Sequence, residues 1–240
     1  MTERPIRLTE AEIVAILATR QSQIRHPICL PGGYEHGEIF DCFNAETYVN
    51  LFADPGPGIS IPFSSALGNV GDLLWVKEAW SPDFSQHYPC SPASYRAGFA
   101  EEIEVRNGVR GIWSPESKQF VPFRWRPATT MPRKFARLGL RIEKIRADRV
   151  QNMSNRDARN MGSLAISDTE GFYEKHFPKY FESLKRYSVR CLALGRPAGA
   201  PPPGPMPKEV MRAAWSATHG TDAWKVNAWV WVVDFRMVML

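Results

Sequence analysis

The sequence predicts an α+β protein: a small β-barrel with short flanking helices and two loop-rich insertions. Three observations predict it. Apolar residues gather in short runs of period two, separated by turn-rich stretches, as in small barrels. Helical patterns are few and brief, and several carry their own start and stop signals. The 240 residues, 44% hydrophobic and 23% charged, suit one core with embellishments. The chain is therefore read as a single domain, 1–240, with insertions at about 81–123 and 168–206.

The elements follow in order. Arg4–Leu8 reads as a strand. Thr9-Glu10-Ala11-Glu12 is a capping box, and Ile13, Ile16 and Leu17 behind it form a narrow helical apolar face. In "ILATRQSQIRHP", Ile16 to Pro27, that pattern fades near Thr19 or Arg20 and turns polar and basic, and Pro27 closes it. Residues 28–68 are rich in turn formers, and "IFDCFNAETYVNLF" between them suits short strands or a helical turn. Leu73, Leu74, Trp75 and Val76 form a buried strand. "ASYRAGF" and "GIWSPESKQFVPF" are strand candidates around the turn Asn107-Gly108. Leu138, Leu140 and Ile142 alternate, then the phase slips to Ile145, which predicts a bulge near Glu143-Lys144. Ser154 opens a short helix that Gly162 ends. Residues 168–187 suit a helix broken at Pro178. Six of the eleven residues 197–207 are proline, an extended linker, and Pro207 then starts a helix ending near Gly220. Ala228–Met239 is the last strand.

Composition narrows the function. The first 30 residues hold no secretory apolar segment, and no apolar run approaches the ~18 residues of a membrane helix, so a cytoplasmic protein with no membrane partner is expected. No Gly-rich phosphate loop, GxSxG elbow or HExxH occurs. No cofactor is expected. Cys29, Cys42, His87 and Cys90 are either incidental thiols or ligands of one metal, since His87-x-x-Cys90 has ligand spacing. No metal is expected.

Charge is the strongest signal. The net charge is +5, yet between Arg124 and Arg149 nine basic residues face only Glu143 and Asp148, so that segment alone is +7. Such a concentration is either the footprint of a polyanion or a solvated basic face. Three local constellations accompany it. Lys77 and Glu78 end a buried strand beside Trp80; Glu78 is an acid/base group, a base-edge acceptor, or the ion-pair partner of an arginine. Arg133 and Lys134 precede Phe135, suiting phosphate contact with stacking, or an exposed basic turn. Trp224 and Asn227 precede the last strand, with Asn227 either a turn residue or a base reader.

Four segments together resemble the ASCH-like proteins of the PUA-like superfamily, found in phages and bacteria: "IRLTEAEIVAILATRQSQIRHPI", "GNVGDLLWVKEAW", "MPRKFARLGLRIEKIRADRVQNMSNRDARNMG" and "AAWSATHGTDAWKVNAWVWVVDF". They cover about half the chain in the family's order. The resemblance implies a PUA-like pseudo-β-barrel with a cleft for RNA, nucleotides or modified bases, in the host cytoplasm if phage-encoded. It adds Arg20, Arg25 and His26 to Lys77, Trp80, Arg133, Lys134, Trp224 and Asn227 as nucleic-acid-binding residues, with Glu78 as the candidate catalytic residue. The family's Gly, Lys, Glu/Thr and Arg after the first helix align with Thr19, Gln21, Ile24 and His26, which all differ. In the amidohydrolase branch the Lys and Thr are taken as the catalytic pair; Gln21 and Ile24 have neither chemistry, so binding is favoured over hydrolysis. A hydrolase acting on modified nucleosides or RNA, using Glu78, Lys77, Arg25 and His26, is the alternative. A phage morphogenesis role, with the proline segment as a docking element, is the third reading.

Overall fold

The computed structural model describes residues 1–28, 64–83, 93–99, 103–114, 117–168 and 170–240, and the backbone of three strands at 36–41, 47–52 and 59–62. Along the chain run β1 (Glu3–Arg7), α1 (Glu10–Leu17), β2 (Gln23–Pro27), β3 (His36–Asp41), β4 (Thr47–Phe52) and β5 (Ile59–Pro62). Next come β6 (Leu73–Lys77), β7 (Trp80–Ser81), β8 (Ser94–Tyr95), β9 (Glu104–Arg106), β10 (Val109–Ser114), β11 (Gln119–Pro122) and β12 (Leu138–Arg149). The remainder is mostly helical: α2 (Asn155–Asn160), α3 (Ser163–Ser167), α4 (Phe172–His176), α5 (Pro178–Leu194), α6 (Pro207–His219) and α7 (Ala223–Val226), before β13 (Trp229–Met239). The class is α+β with several sheets and short helices, and among the described residues no sheet closes on itself.

Two compact units emerge, each discontinuous in sequence. The first holds Met1–Ala18, Ser65–Lys144 and Phe235–Leu240; the second holds Thr19–Ser64 and Ile145–Asp234.

In the first unit β6 lies between β1, its parallel neighbour, and β12, its antiparallel one. A central strand is covered on both faces, and Leu73, Leu74 and Val76 are accordingly all buried. Leu138, Leu140 and Ile142 of β12 are buried too, each contributing roughly 1.5–3 kcal/mol. Glu143 and Lys144 are both exposed, where the apolar alternation changes phase. The Thr9 hydroxyl accepts from the Glu12 amide while the Glu12 carboxylate accepts from the Thr9 amide, which starts α1 where the sequence predicts it. Asp72 fixes the entry to β6: its carboxylate accepts from the amides of Thr2 and Asn69, and these bonds hold it below the usual carboxylate range. A separate antiparallel sheet, β9-β10-β11, packs Ile112 and Val121 against Phe123, Phe99, Ile103 and Trp125.

In the second unit β2 pairs antiparallel with β13, and β3-β4-β5 form an antiparallel meander. The polar stretch after α1 is thus a strand rather than a frayed helix exit. Its Gln23, Ile24 and Arg25 are all buried, because β13 and polar partners cover them. Met153, Ala158, Met161 and Met211 join α2 to α6, and Val150, Trp215, Val230 and Val232 form the cluster beneath Trp224. The helical chain is interrupted at Pro178 as the sequence predicts: α4 ends at His176, and Pro178 takes the first position of α5, where a proline costs no hydrogen bond. Pro207 opens α6 in the same way.

Candidate functional site

The sequence-predicted residues divide between the units. Lys77, Glu78, Trp80, Arg133 and Lys134 belong to the first. Arg20, Arg25, His26, Trp224 and Asn227 belong to the second.

In the first unit Glu78 follows β6 and is 1% exposed. Both its carboxylate oxygens accept from Arg137, at 2.9 Å from Nε and 2.8 Å from Nη2. Arg137 also donates to the Ala97 carbonyl at 2.8 Å, and its guanidinium lies 4.2 Å from the Tyr95 ring centroid. Burial pushes the Glu78 carboxyl above its ordinary value, and the Arg137 bonds pull against that rise. Of the three roles open to Glu78, the geometry shows the ion pair. A general base needs a lone pair that its substrate can reach, and this carboxylate is gripped bidentately by Arg137 and enclosed.

Around this pair sits a set of aromatic rings, each with a cation over it. Trp80 is buried and stacks on Phe135 with centroids 4.8 Å apart. The Lys134 ammonium lies 5.0 Å from the Phe135 centroid, and that of Lys77 lies 5.4 Å from Trp75. The Arg126 guanidinium is 5.3 Å from Trp80. Lys77 donates to the Thr129 carbonyl at 3.0 Å, and Trp80 Nε1 to the Thr130 hydroxyl at 3.3 Å. Trp75 and Phe135 are half-buried, and Lys134 is exposed. Sequence reasoning missed Trp75 and Arg126 as members. The signal for Trp75 was its spacing of two from Lys77, the one-face period of a strand.

In the second unit Arg25 is the most enclosed member, with a side chain 0% exposed. Its contacts are long: Gln23 Oε1 and the Arg149 carbonyl at 3.5 Å, and Asp157 Oδ2 at 3.5 Å. Its Nη2 makes no hydrogen bond of good geometry. Burial drives its pKa below the ordinary arginine value, against the pull of Asp157. Asp157 is the hub here: Gln23 donates to it at 3.3 Å, Ser154 donates from both amide and hydroxyl, and Arg146 approaches to 3.6 Å. Burial raises its carboxyl, but these bonds outweigh it and the net shift is downward. The sequence marks Ser154 as a helix start; it gives no sign that the residue three places on also faces two arginines.

The other members of this unit have structural partners. Arg20 pairs with Asp168 at 2.9 Å on the surface. Asn227 adopts φ 50°, and its side-chain oxygen accepts from the Gln151 amide at 3.0 Å, so it acts as the turn residue. Trp224 packs on the Val150 cluster and its carbonyl accepts from Gln151. His26 is exposed beside the Pro27 carbonyl.

The basic segment looks different once its partners are known. Arg126 pairs with Asp83, Arg133 with Glu3, Arg137 with Glu78, and Arg146 with Asp234 and Asp157. Arg149 donates to the Asn227 carbonyl and stacks on Trp229. The carboxylates come from distant positions in the chain, so the charge that is concentrated in sequence is largely compensated in space. Cys29, Cys42, His87 and Cys90 lie outside the described residues. No described helix is long and apolar enough to cross a membrane.

Comparison with known proteins returns no matching family model, no similar curated protein and no similar solved structure.

Proposed function

We propose that this chain binds RNA or a modified nucleotide, as a PUA-like barrel of the ASCH type in a phage or prophage setting. The observation that supports it best is the Trp75, Phe135 and Trp80 cluster, in which each ring carries a cation from Lys77, Lys134 or Arg126. The half-buried faces of Trp75 and Phe135, with cations beside them and the buried Trp80 behind Phe135, offer a base somewhere to stack and a phosphate something to approach. Lys77 and Lys134 are the cations of this cluster for which no carboxylate contact is present among those described, so they are the phosphate ligands of the reading. Glu78 and Arg137 hold the cluster's floor in place.

The test is binding of a fluorescent single-stranded RNA across a salt series. Contact with about four phosphates gives a log–log slope near −3, at about −0.7 per phosphate. The Lys77→Ala/Lys134→Ala double variant should bring that slope to about −1.5. A salt-independent affinity, or a double variant with the parental slope, rules the cluster out. The hydrolase alternative requires Glu78 to leave Arg137; turnover of acetylcytidine or RNA that Glu78→Gln abolishes would favour it.

A further inference from the structure

We propose that the outward face of the β9-β10-β11 sheet is a stacking platform for an unpaired nucleobase, centred on Trp113. It is a second contact surface in the first unit, and it rests on the nucleic-acid reading above. The strand register sets the face. Val109 pairs with Arg106 and Trp113 with Phe120, so Arg106, Gly111, Trp113 and Phe120 share one side, opposite the buried Ile112 and Val121. Trp113 is 41% exposed there, in the interior of a paired strand. Indoles are seldom left so open without a partner.

The face is preorganised. The Arg106 guanidinium lies 4.8 Å from the Trp113 centroid and 5.2 Å from that of Phe120. Glu104 fixes it from below, accepting from Nε at 2.8 Å and lying 2.7 Å from Nη2. The clamped cation holds the two rings side by side, so little rotamer freedom remains for a ligand to remove. Phe120 has a folding reason to be here: it lies over Gly111, where an added Cβ would meet its Cζ at 2.5 Å. That cover does not involve Trp113, whose exposed ring is left to a ligand.

Charge selects the occupant. Residues 103–125 carry Arg106, Arg110, Lys118 and Arg124 against Glu104 and Glu116, a surplus of two positive charges. Glu104 opposes Arg106 directly. Lys118 is exposed in the turn just before β11, beside Phe120 and Trp113, while Arg110 is exposed on the other face of β10, with Ile112. An open indole flanked by cations is suited to a polyanion with planar groups to stack, which is a single-stranded nucleic acid. Paired bases in a duplex offer no free face.

The full chain, Trp113→Ala and Trp113→Phe would each be titrated with a uridine-rich RNA carrying 5-bromouridine, alone and annealed to its complement. Trp113→Ala should weaken single-strand binding about 5- to 150-fold, and Trp113→Phe should restore most of it. Duplex affinity should not move. Long-wave ultraviolet light should cross-link the unaltered chain to the RNA at Trp113, a readout that does not depend on any variant folding. Single-strand affinity within about twofold in Trp113→Ala, with no adduct at Trp113, overturns the platform and leaves the nucleic-acid reading standing. The same holds if Trp113→Ala instead abolishes self-association, which would make the face a contact between copies. If the unaltered chain binds neither form, both fall.

Discussion

Replacing Arg25 with methionine should leave the protein as stable as before, or more so. The resemblance makes Arg25 a ligand contact; the structure encloses it completely and partners it poorly. Its three polar contacts all sit at 3.5 Å, against about 2.9 Å for a good N–H···O bond. A well-formed hydrogen bond to a charged group is worth roughly 1.5–3 kcal/mol. At this length a third of that is a fair allowance, so the three give about 1.5–3 kcal/mol. Burying the guanidinium costs several kcal/mol even after relaxation. Methionine of similar length removes the cost and returns about 1.5–3 kcal/mol of apolar burial. Together these terms favour Arg25→Met by about 1.5 kcal/mol or more. Asp157→Asn should do the reverse. It keeps an acceptor for Ser154 but takes the charge from Arg25 and Arg146, costing about 2–4 kcal/mol because Asp157 is partly open to water. The double variant should be less destabilised than Asp157→Asn alone, since the stranded cation is gone. Urea unfolding at neutral pH, followed by tryptophan fluorescence, measures all three. A loss above about 1.5 kcal/mol for Arg25→Met refutes the reasoning. RNA affinity gives an independent check: a fall beyond about twofold at unchanged stability means the guanidinium reaches the ligand after all.

Glu78→Gln should cost about 1–3 kcal/mol, since it leaves the half-buried Arg137 without its counter-charge; a variant of parental stability would mean the pair contributes nothing net. The Glu78 carboxyl is raised by burial, so the folded state binds that proton more tightly than the unfolded chain. The proton-linked part of its contribution is therefore full below the ordinary glutamate value of about 4.3 and is lost as pH rises through the folded value, while the ion pair with Arg137 remains. Urea midpoints from acid upward should show that decline in the parent and not in Glu78→Gln. Asn227→Gly keeps the left-handed conformation and loses only the bond to Gln151, costing about 1 kcal/mol, whereas Asn227→Ala adds backbone strain and should cost about 2 kcal/mol. Equal stability of the two, with RNA affinity lost in both, would make Asn227 a base reader instead of a turn residue.

What the sequence made legible was local. The Thr9–Glu12 box, the Gly162 stop, Pro207 at a helix start and the Asn107-Gly108 turn all depend on residues within four positions of one another, so a linear reading finds them. β2 was not legible, because Gln23 and Arg25 are polar and a period-two reading sees no buried face. They are buried because Asp157 and Asp234, more than 130 residues away in the chain, accept their charge and hydrogen bonds. Pro178 was ambiguous for a related reason: proline stops one helix and starts another with the same geometry, and only the chain on either side distinguishes the two.

The same distinction governs the functional reading. A run of nine cations reads as a polyanion footprint because sequence shows which charges are adjacent and hides which are opposed. Glu3, Glu78, Asp83, Asp157 and Asp234 are scattered along the chain, yet each meets one of these cations. Affinity for a nucleic acid then depends on the cations that show no carboxylate contact among the described residues, and their value rises with the rings beside them. A protein using all nine would show a salt slope near −6 on a single strand. One using Lys77 and Lys134 with a pair of auxiliary contacts would show about half that, with much of its affinity surviving at high salt through stacking. Residual binding at high salt, sensitive to Phe135→Ala and not to added cations, is therefore the sharper signature of this surface than its net charge.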